Sequence, residues 1–176
     1  YFHAIRDSVR KRYRYVIQEG LDHDVFGRRY AWTIRRKLNT DAMREAGQRL
    51  VGKHDFTSFE SMGSQRLTPI RTIYEVQVER RQTETAHLIN IEVEADGFLY
   101  SMVRNIAGTL VAVGQGRESV DWVSDVLEAR DRRRAGMAAP AHGLYLVRVD
   151  LEWPSAEMLA RRKRRVVKDR VDEGVE

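Results

Sequence analysis

At 176 residues the chain is sized for one domain, or one domain and a tail, and can bury a sizeable core. It contains no cysteine, which excludes disulfides, thiolate metal sites and cysteine nucleophiles and suits a reducing compartment such as the cytoplasm. A net charge of +5, carried by 26 Arg and 5 Lys, favours an anionic partner, while no apolar run approaches the roughly 20 residues that span a bilayer.

Residues 9–18 alternate as a strand does. Val9, Lys11, Tyr13, Tyr15 and Ile17 share one face, and Arg10, Arg12, Arg14 and Gln18 the other. Aromatics beside arginines on a sheet suit two readings: an inward core face with a wet outer one, or a platform that stacks an unpaired base. Residues 19–30, broken by Gly20 and Gly27, read as a loop. Asn39 or Thr40 caps a helix that has Asp41 in its first turn, buries Met43, Ala46, Leu50 and Val51, and stops at Gly52. The stretch DFTSF at 55–59 is a short turn with two aromatics to bury.

After Pro69, IRTIYEVQVERR and TAHLINIEVEA alternate on either side of Gln82 and Thr83 and predict an antiparallel hairpin. Tyr74, Val76 and Val78 are expected inward on its first strand, and Ile89, Ile91 and Val93 on its second. The longest helix is predicted over residues 97–114, with Leu99, Met102, Val103, Ile106, Leu110 and Val113 as its apolar stripe. Ser119 caps another helix that runs through Val123, Val126 and Leu127 to Arg130, and a last strand begins at Gly143. Pro154 closes a compact region, 1–153. In the tail, 154–176, the run RRKRRVVKDR has little to bury and predicts a solvated helix or a disordered arm. The order of elements predicts an α+β fold, an antiparallel sheet with helices on one face.

Opposite the apolar stripe of the long helix, Gly97, Ser101, Arg104 and Gly108 align at 100° per residue. Small residues there imply close approach by a neighbouring domain or a ligand, and the arginine fork can hold a carboxylate or phosphate; a surface arginine beside packing glycines fits the same pattern. Asp96, just ahead, reads as the N-cap of that helix. The five histidines show no metal-ligand spacing, and neither a G-x-S-x-G elbow nor a glycine-rich phosphate loop occurs. Residue types and spacing thus lead to a basic α+β domain that touches RNA.

Six stretches in order carry a resemblance. FHA at 2–4, RYRY at 12–15, GKHDFTSF at 52–59, RTIYEV at 71–76, DGFLYSMVRNIAGTL at 96–110 and APAHGLYLVRV at 139–149 resemble the C-terminal half of the tRNA pseudouridine synthase A (TruA) family. The match covers residues 2–151. The resemblance implies an isomerase that breaks the N1 glycosidic bond of a uridine, turns the base and rejoins it through C5, with no metal or organic cofactor. It implies tRNA as substrate, at positions 38 to 40 of the anticodon stem-loop, and a homodimer. Reaching a stacked base requires flipping it out. Tyr13 matches the tyrosine that stacks on the target base and helps to remove the C5 proton, and Arg104 the arginine that pairs with a catalytic aspartate. Leu99, Met102 and Gly97 are expected to wall the pocket, and Phe56 and Phe59 to pack the core. Arg10, Arg12, Arg14, Arg130, Arg132, Arg133 and Arg134 are candidates to hold tRNA backbone.

One departure matters. The family's aspartate lies in an N-terminal G-R-T-D-x-G-V-H-A motif, which these 176 residues lack. With no initiator methionine either, the chain reads as a piece of a longer protein that is inactive alone and needs the other half as a partner. Two other readings are a non-catalytic RNA-binding module with a base-stacking sheet and an assembly domain whose helix side pairs with another subunit.

Overall fold

The computed structural model describes residues 7–20, 27–63, 68–83 and 87–153; the FHA stretch and the tail expected at 154–176 lie outside them. Strand β1 (Ser8–Glu19) is the axis of a six-stranded sheet. One edge of β1 pairs antiparallel with the fifth strand in the chain, His87–Ala95, which continues to Ile70–Gln82 and then to Gly52–Asp55. The other edge serves two short neighbours. Ser8 to Tyr15 pair antiparallel with the last strand, Leu144–Leu151, and Ile17 to Glu19 pair in parallel with Trp32–Ile34. In chain order these strands are β1, β2 (Trp32–Ile34), β3 (Gly52–Asp55), β4 (Ile70–Gln82), β5 (His87–Ala95) and β6 (Leu144–Leu151). The parallel β1–β2 pair makes the sheet mixed rather than purely antiparallel. At three and four residues, β2 and β3 are too short to show an alternation.

Three helices cover one face, α1 (Thr40–Gln48), α2 (Met102–Gly114) and α3 (Trp122–Ala129). Asn39 caps α1, its Oδ1 accepting the N–H groups of Asp41 and Ala42, both at 3.1 Å. The helix ends at Gln48, short of the expected Gly52, although Leu50 still enters the core. Ser119 Oγ accepts the Trp122 N–H at 3.2 Å, but the cap position of α3 is held by Asp121, whose side chain makes no capping bond, rather than by Ser119 as expected. The core joins Tyr15 and Ile17 of β1 and Ile89, Ile91 and Val93 of β5 to Met43, Ile106 and Leu110 of the helices. Burying such an aliphatic side chain stabilises by roughly 1.5–3 kcal/mol. Phe56 and Phe59 pack there too, as expected.

Three expectations are corrected. Tyr74 is outward and exposed, because a bulge between Ile73 and Glu75 reverses the alternation and turns Ile73 inward in its place. The long helix starts at Met102, five residues later than predicted, with Ser101 in the left-handed region at φ 58°. Residues 97–101 form a turn instead, so Gly97 does not sit on a helix face. Asp96 is not the cap of α2. Its Oδ1 accepts the Thr72 N–H at 3.0 Å while its own N–H donates to Thr72 O at 3.1 Å, clasping β5 to β4.

Candidate active site

The turn into α2 closes one side of a cleft of about 530 Å³. Lys11 and Tyr13 of β1, Phe98 and Leu99 of the turn, Met102 at the start of α2, and Leu144 of β6 line it. Leu99 and Met102 are buried and form its floor, joined by a Leu99 N–H to Met102 Sδ contact at 3.5 Å. Tyr13 is half-buried and meets Phe98 edge-on, with ring centroids 5.1 Å apart at 85°. Its hydroxyl has no hydrogen-bond partner among the described residues. A phenol held by its ring, with its oxygen uncommitted, can stack on or exchange a proton with a bound group.

Tyr15, on the same strand face, is committed to structure. It is fully buried and donates its hydroxyl to Pro140 O at 2.7 Å. Burial pushes its phenol well above the ordinary value, and the positive charge of Arg104 offsets this only in part. Gly143 permits this packing, since a Cβ there would lie 2.8 Å from Tyr15 Cζ.

Arg104, one residue beyond the cleft-lining Val103, is half-buried and lies against the segment that receives Tyr15. Its Nε donates to Ala139 O at 2.7 Å and its carbonyl accepts the Ala139 N–H at 3.1 Å. Among the described residues no carboxylate pairs with it. The fork is therefore anchored at Nε with its terminal nitrogens available to an anion. The small-residue side of α2, expected to meet a neighbouring domain or a ligand or else to serve tight packing, is filled from within the chain at Gly108: a Cβ there would lie 1.7 Å from Met137 O. Gly97 is absent from the cleft lining and faces Arg71, whose Nε is 3.6 Å from where its Cβ would be.

The candidate RNA-binding arginines fall in two places away from the cleft. Arg10, Arg12 and Arg14 lie on the opposite sheet face, in a ladder with Glu92 and Glu94. Arg12 donates to Glu94 through Nε at 3.0 Å and Nη2 at 2.8 Å, and to Glu92 at 3.1 Å. Arg14 binds Glu92, and Arg10 and Arg148 bind Glu94. Burial by itself would raise the Glu94 carboxyl, but the hydrogen bond and charge of Arg12 and the charge of Arg148 outweigh it and hold it below the ordinary range. Near the end of α3, Arg130 pairs with Asp55 at 3.5 Å and Arg133 with Asp131 at 2.8 Å. Arg132 turns inward, donating to Asn105 Oδ1 at 2.9 Å, and burial lowers its pKa. Arg134 is exposed.

Sequence reasoning missed Lys11, Phe98 and Leu144 as cleft residues. Lys11 shares the strand face of Tyr13 and Phe98 adjoins Gly97, so a local signal existed for both. Leu144 had none, because only the β1–β6 pairing brings it there. Among the described residues no group of three His, Asp or Glu side chains could hold a metal ion, and no helix is long and apolar enough to cross a membrane.

Comparison with known proteins sets this geometry in a family. Residues 46–152 match a family model described as tRNA pseudouridine synthase. The chain is 43% identical over 148 residues to tRNA pseudouridine synthase A of Thermoanaerobacter sp. (strain X514), covering 84% of this chain and 59% of that protein. It is 47% identical over 145 residues to the protein of that name from Bacillus subtilis (strain 168), covering 82% and 57%. For Legionella pneumophila (strain Corby) the identity is 45% over 148 residues, covering 84% and 55%. The chain thus spans somewhat over half the length of these curated relatives.

Proposed function

Because this chain belongs to the tRNA pseudouridine synthase family, we propose that it supplies the base-holding part of an enzyme that isomerises uridine to pseudouridine in tRNA. The observation that carries the proposal is the cleft, where the uncommitted phenol of Tyr13 faces the turn that leads to Arg104, a guanidinium with no carboxylate partner among the described residues. The target uridine, flipped out of its stack, enters this cleft and lies against Tyr13. A catalytic aspartate, supplied from outside these 176 residues, pairs with the Arg104 fork, which fixes its charge and direction. The N1–C1′ bond breaks, the base turns, a C5–C1′ bond forms, and the C5 proton leaves with help from Tyr13 while N1 gains one. Atoms balance without any co-reactant, as an isomerisation requires. The substrates are uridines at positions 38 to 40 of the anticodon stem-loop, and the working form is a homodimer.

The test uses the longer protein, this chain joined to the part that its relatives carry, with tRNA lacking pseudouridine. Arg104→Ala and Tyr13→Ala are each expected to lower turnover by about 100-fold or more. The 176-residue chain alone is expected to form no product. Product from the chain alone, or undiminished turnover by Arg104→Ala, would sink the proposal.

A further inference from the structure

Most of the arginines described above face a carboxylate. The segment from Gly27 to Lys37 is built differently. It carries Arg28, Arg29, Arg35, Arg36 and Lys37, and the sequence holds no acidic residue between Asp24 and Asp41. All five side chains are exposed, and among the described residues none has an ion-pair or hydrogen-bond partner.

The backbone that presents them is anchored. Ala31 and Ile34 are buried, and β2 pairs with Ile17 to Glu19. Gly20 N–H donates to Ile34 O at 3.0 Å, the Tyr145 hydroxyl donates to Tyr30 O at 2.7 Å, and His142 Nε2 lies 3.1 Å from Ala31 O. At the far end the Leu38 N–H donates to the buried Glu19 carboxylate. Five like charges on so short and fixed a stretch raise one another's electrostatic energy, and no carboxylate of the described fold relieves it. A polyanion does.

The stretch starts beside the cleft and, because β2 runs parallel to β1 from Ile17 towards Glu19, leads away from it. Trp32 sits opposite Ile17 and meets Tyr15 edge-on at 6.3 Å, and Leu144, which lines the cleft, sits opposite Tyr15. From Ile17 to Tyr13 is four residues along β1, about 13 Å at 3.3 Å per residue. Four of the five cations are arginines, whose planar fork matches phosphate, and Tyr30 stands exposed among them as a stacking face. Resting on the reading of this chain as part of a tRNA-modifying enzyme, we propose that residues 27–37 form a ridge that grips the tRNA phosphate backbone as it leads away from the cleft.

The experiment titrates the 176-residue chain against unmodified tRNA over about 50 to 200 mM salt. The variants are Arg35→Gln/Arg36→Gln/Lys37→Gln and Arg28→Gln/Arg29→Gln, with Arg81→Gln, a cation paired with Glu79, as a control. At roughly 0.7 per cation for a single strand, the slope of log affinity against log salt is expected to fall by about 2 in the triple variant and about 1.4 in the double, with weaker binding in both. Their thermal midpoints should hold or rise as repulsion is relieved, which separates lost contacts from unfolding. Salt-dependent binding that both Gln variants retain unchanged overturns the ridge and leaves the enzymatic reading standing. No tRNA binding by the unvaried chain overturns the ridge, while the enzymatic reading is tested by turnover in the longer protein. Competition by poly-L-glutamate, equal to tRNA per unit charge, overturns the assignment to RNA in favour of an acidic protein.

Discussion

Tyr13 and Tyr15 lie two residues apart on one face of β1, yet among the described residues only Tyr15 finds a partner for its hydroxyl, Pro140 O at 2.7 Å. Removing the Tyr15 oxygen leaves that carbonyl without its donor. Tyr15→Phe is expected to cost about 1–2 kcal/mol in urea unfolding, and Tyr13→Phe less than about 0.5 kcal/mol. A larger loss from Tyr13→Phe would mean that its phenol holds the fold together.

Gly108 and Met137 are in closer contact than any side chain allows. Gly108→Ala has to part α2 from the backbone at Met137, since the added carbon would stand 1.7 Å from its carbonyl oxygen. The expected cost is on the order of 3 kcal/mol. Because Ala139, two residues on, receives the Arg104 Nε–H, the same change should loosen Arg104. Calorimetry checks the first effect, and the loss of turnover in the longer protein checks the second. An unchanged thermal midpoint would refute the packing.

The Arg–Glu ladder predicts a pH dependence whose sign follows from Glu94. Its carboxyl is held below the ordinary value of 4.5 in the fold, so the unfolded chain takes up its proton first as pH falls. The stabilisation is therefore full above the unfolded value and is lost as pH drops through the lowered folded one. Glu92 shifts in the same direction, with burial opposed by hydrogen bonds from Arg14 and Arg12. Glu94→Gln should lower stability at neutral pH and flatten the decline below about pH 4.5 that the parent shows. Parallel acid-unfolding curves for parent and variant would contradict the assignment.

Asn105 is fully buried, with Nδ2 donating to Phe59 O at 2.7 Å and Oδ1 accepting from Arg132. Truncating Arg132→Ala strands that oxygen without its charged donor, at an expected cost of about 1–3 kcal/mol in denaturant unfolding. A neutral result would show that the guanidinium contributes little beyond its surface charge.

The hairpin strands, the apolar stripe from Met102 to Val113, and the cap of α1 at Asn39 are legible in the chain itself. Each depends on neighbours within a turn or on an alternation carried by one strand. The bulge at Ile73 to Glu75 is not legible, because it exists only relative to β5. Nor is the late start of α2, where Asp96 is drawn to Thr72 on β4 instead of to the helix.

Within the candidate site the same division holds. Motif and alternation, as properties of the chain, single out two tyrosines and one arginine as candidates, and the roles proposed for Tyr13 and Arg104 come from the family resemblance. Only the tertiary structure decided that the Tyr15 hydroxyl is taken by Pro140 O while that of Tyr13 has no partner among the described residues, that residues 136–139 close the small-residue side of α2, and that Arg12 is neutralised by Glu94, 82 positions away. The physical reason is common to all three. Hydrogen-bond satisfaction, van der Waals exclusion and charge pairing act between atoms brought together in space, and a linear order of residues does not contain those distances.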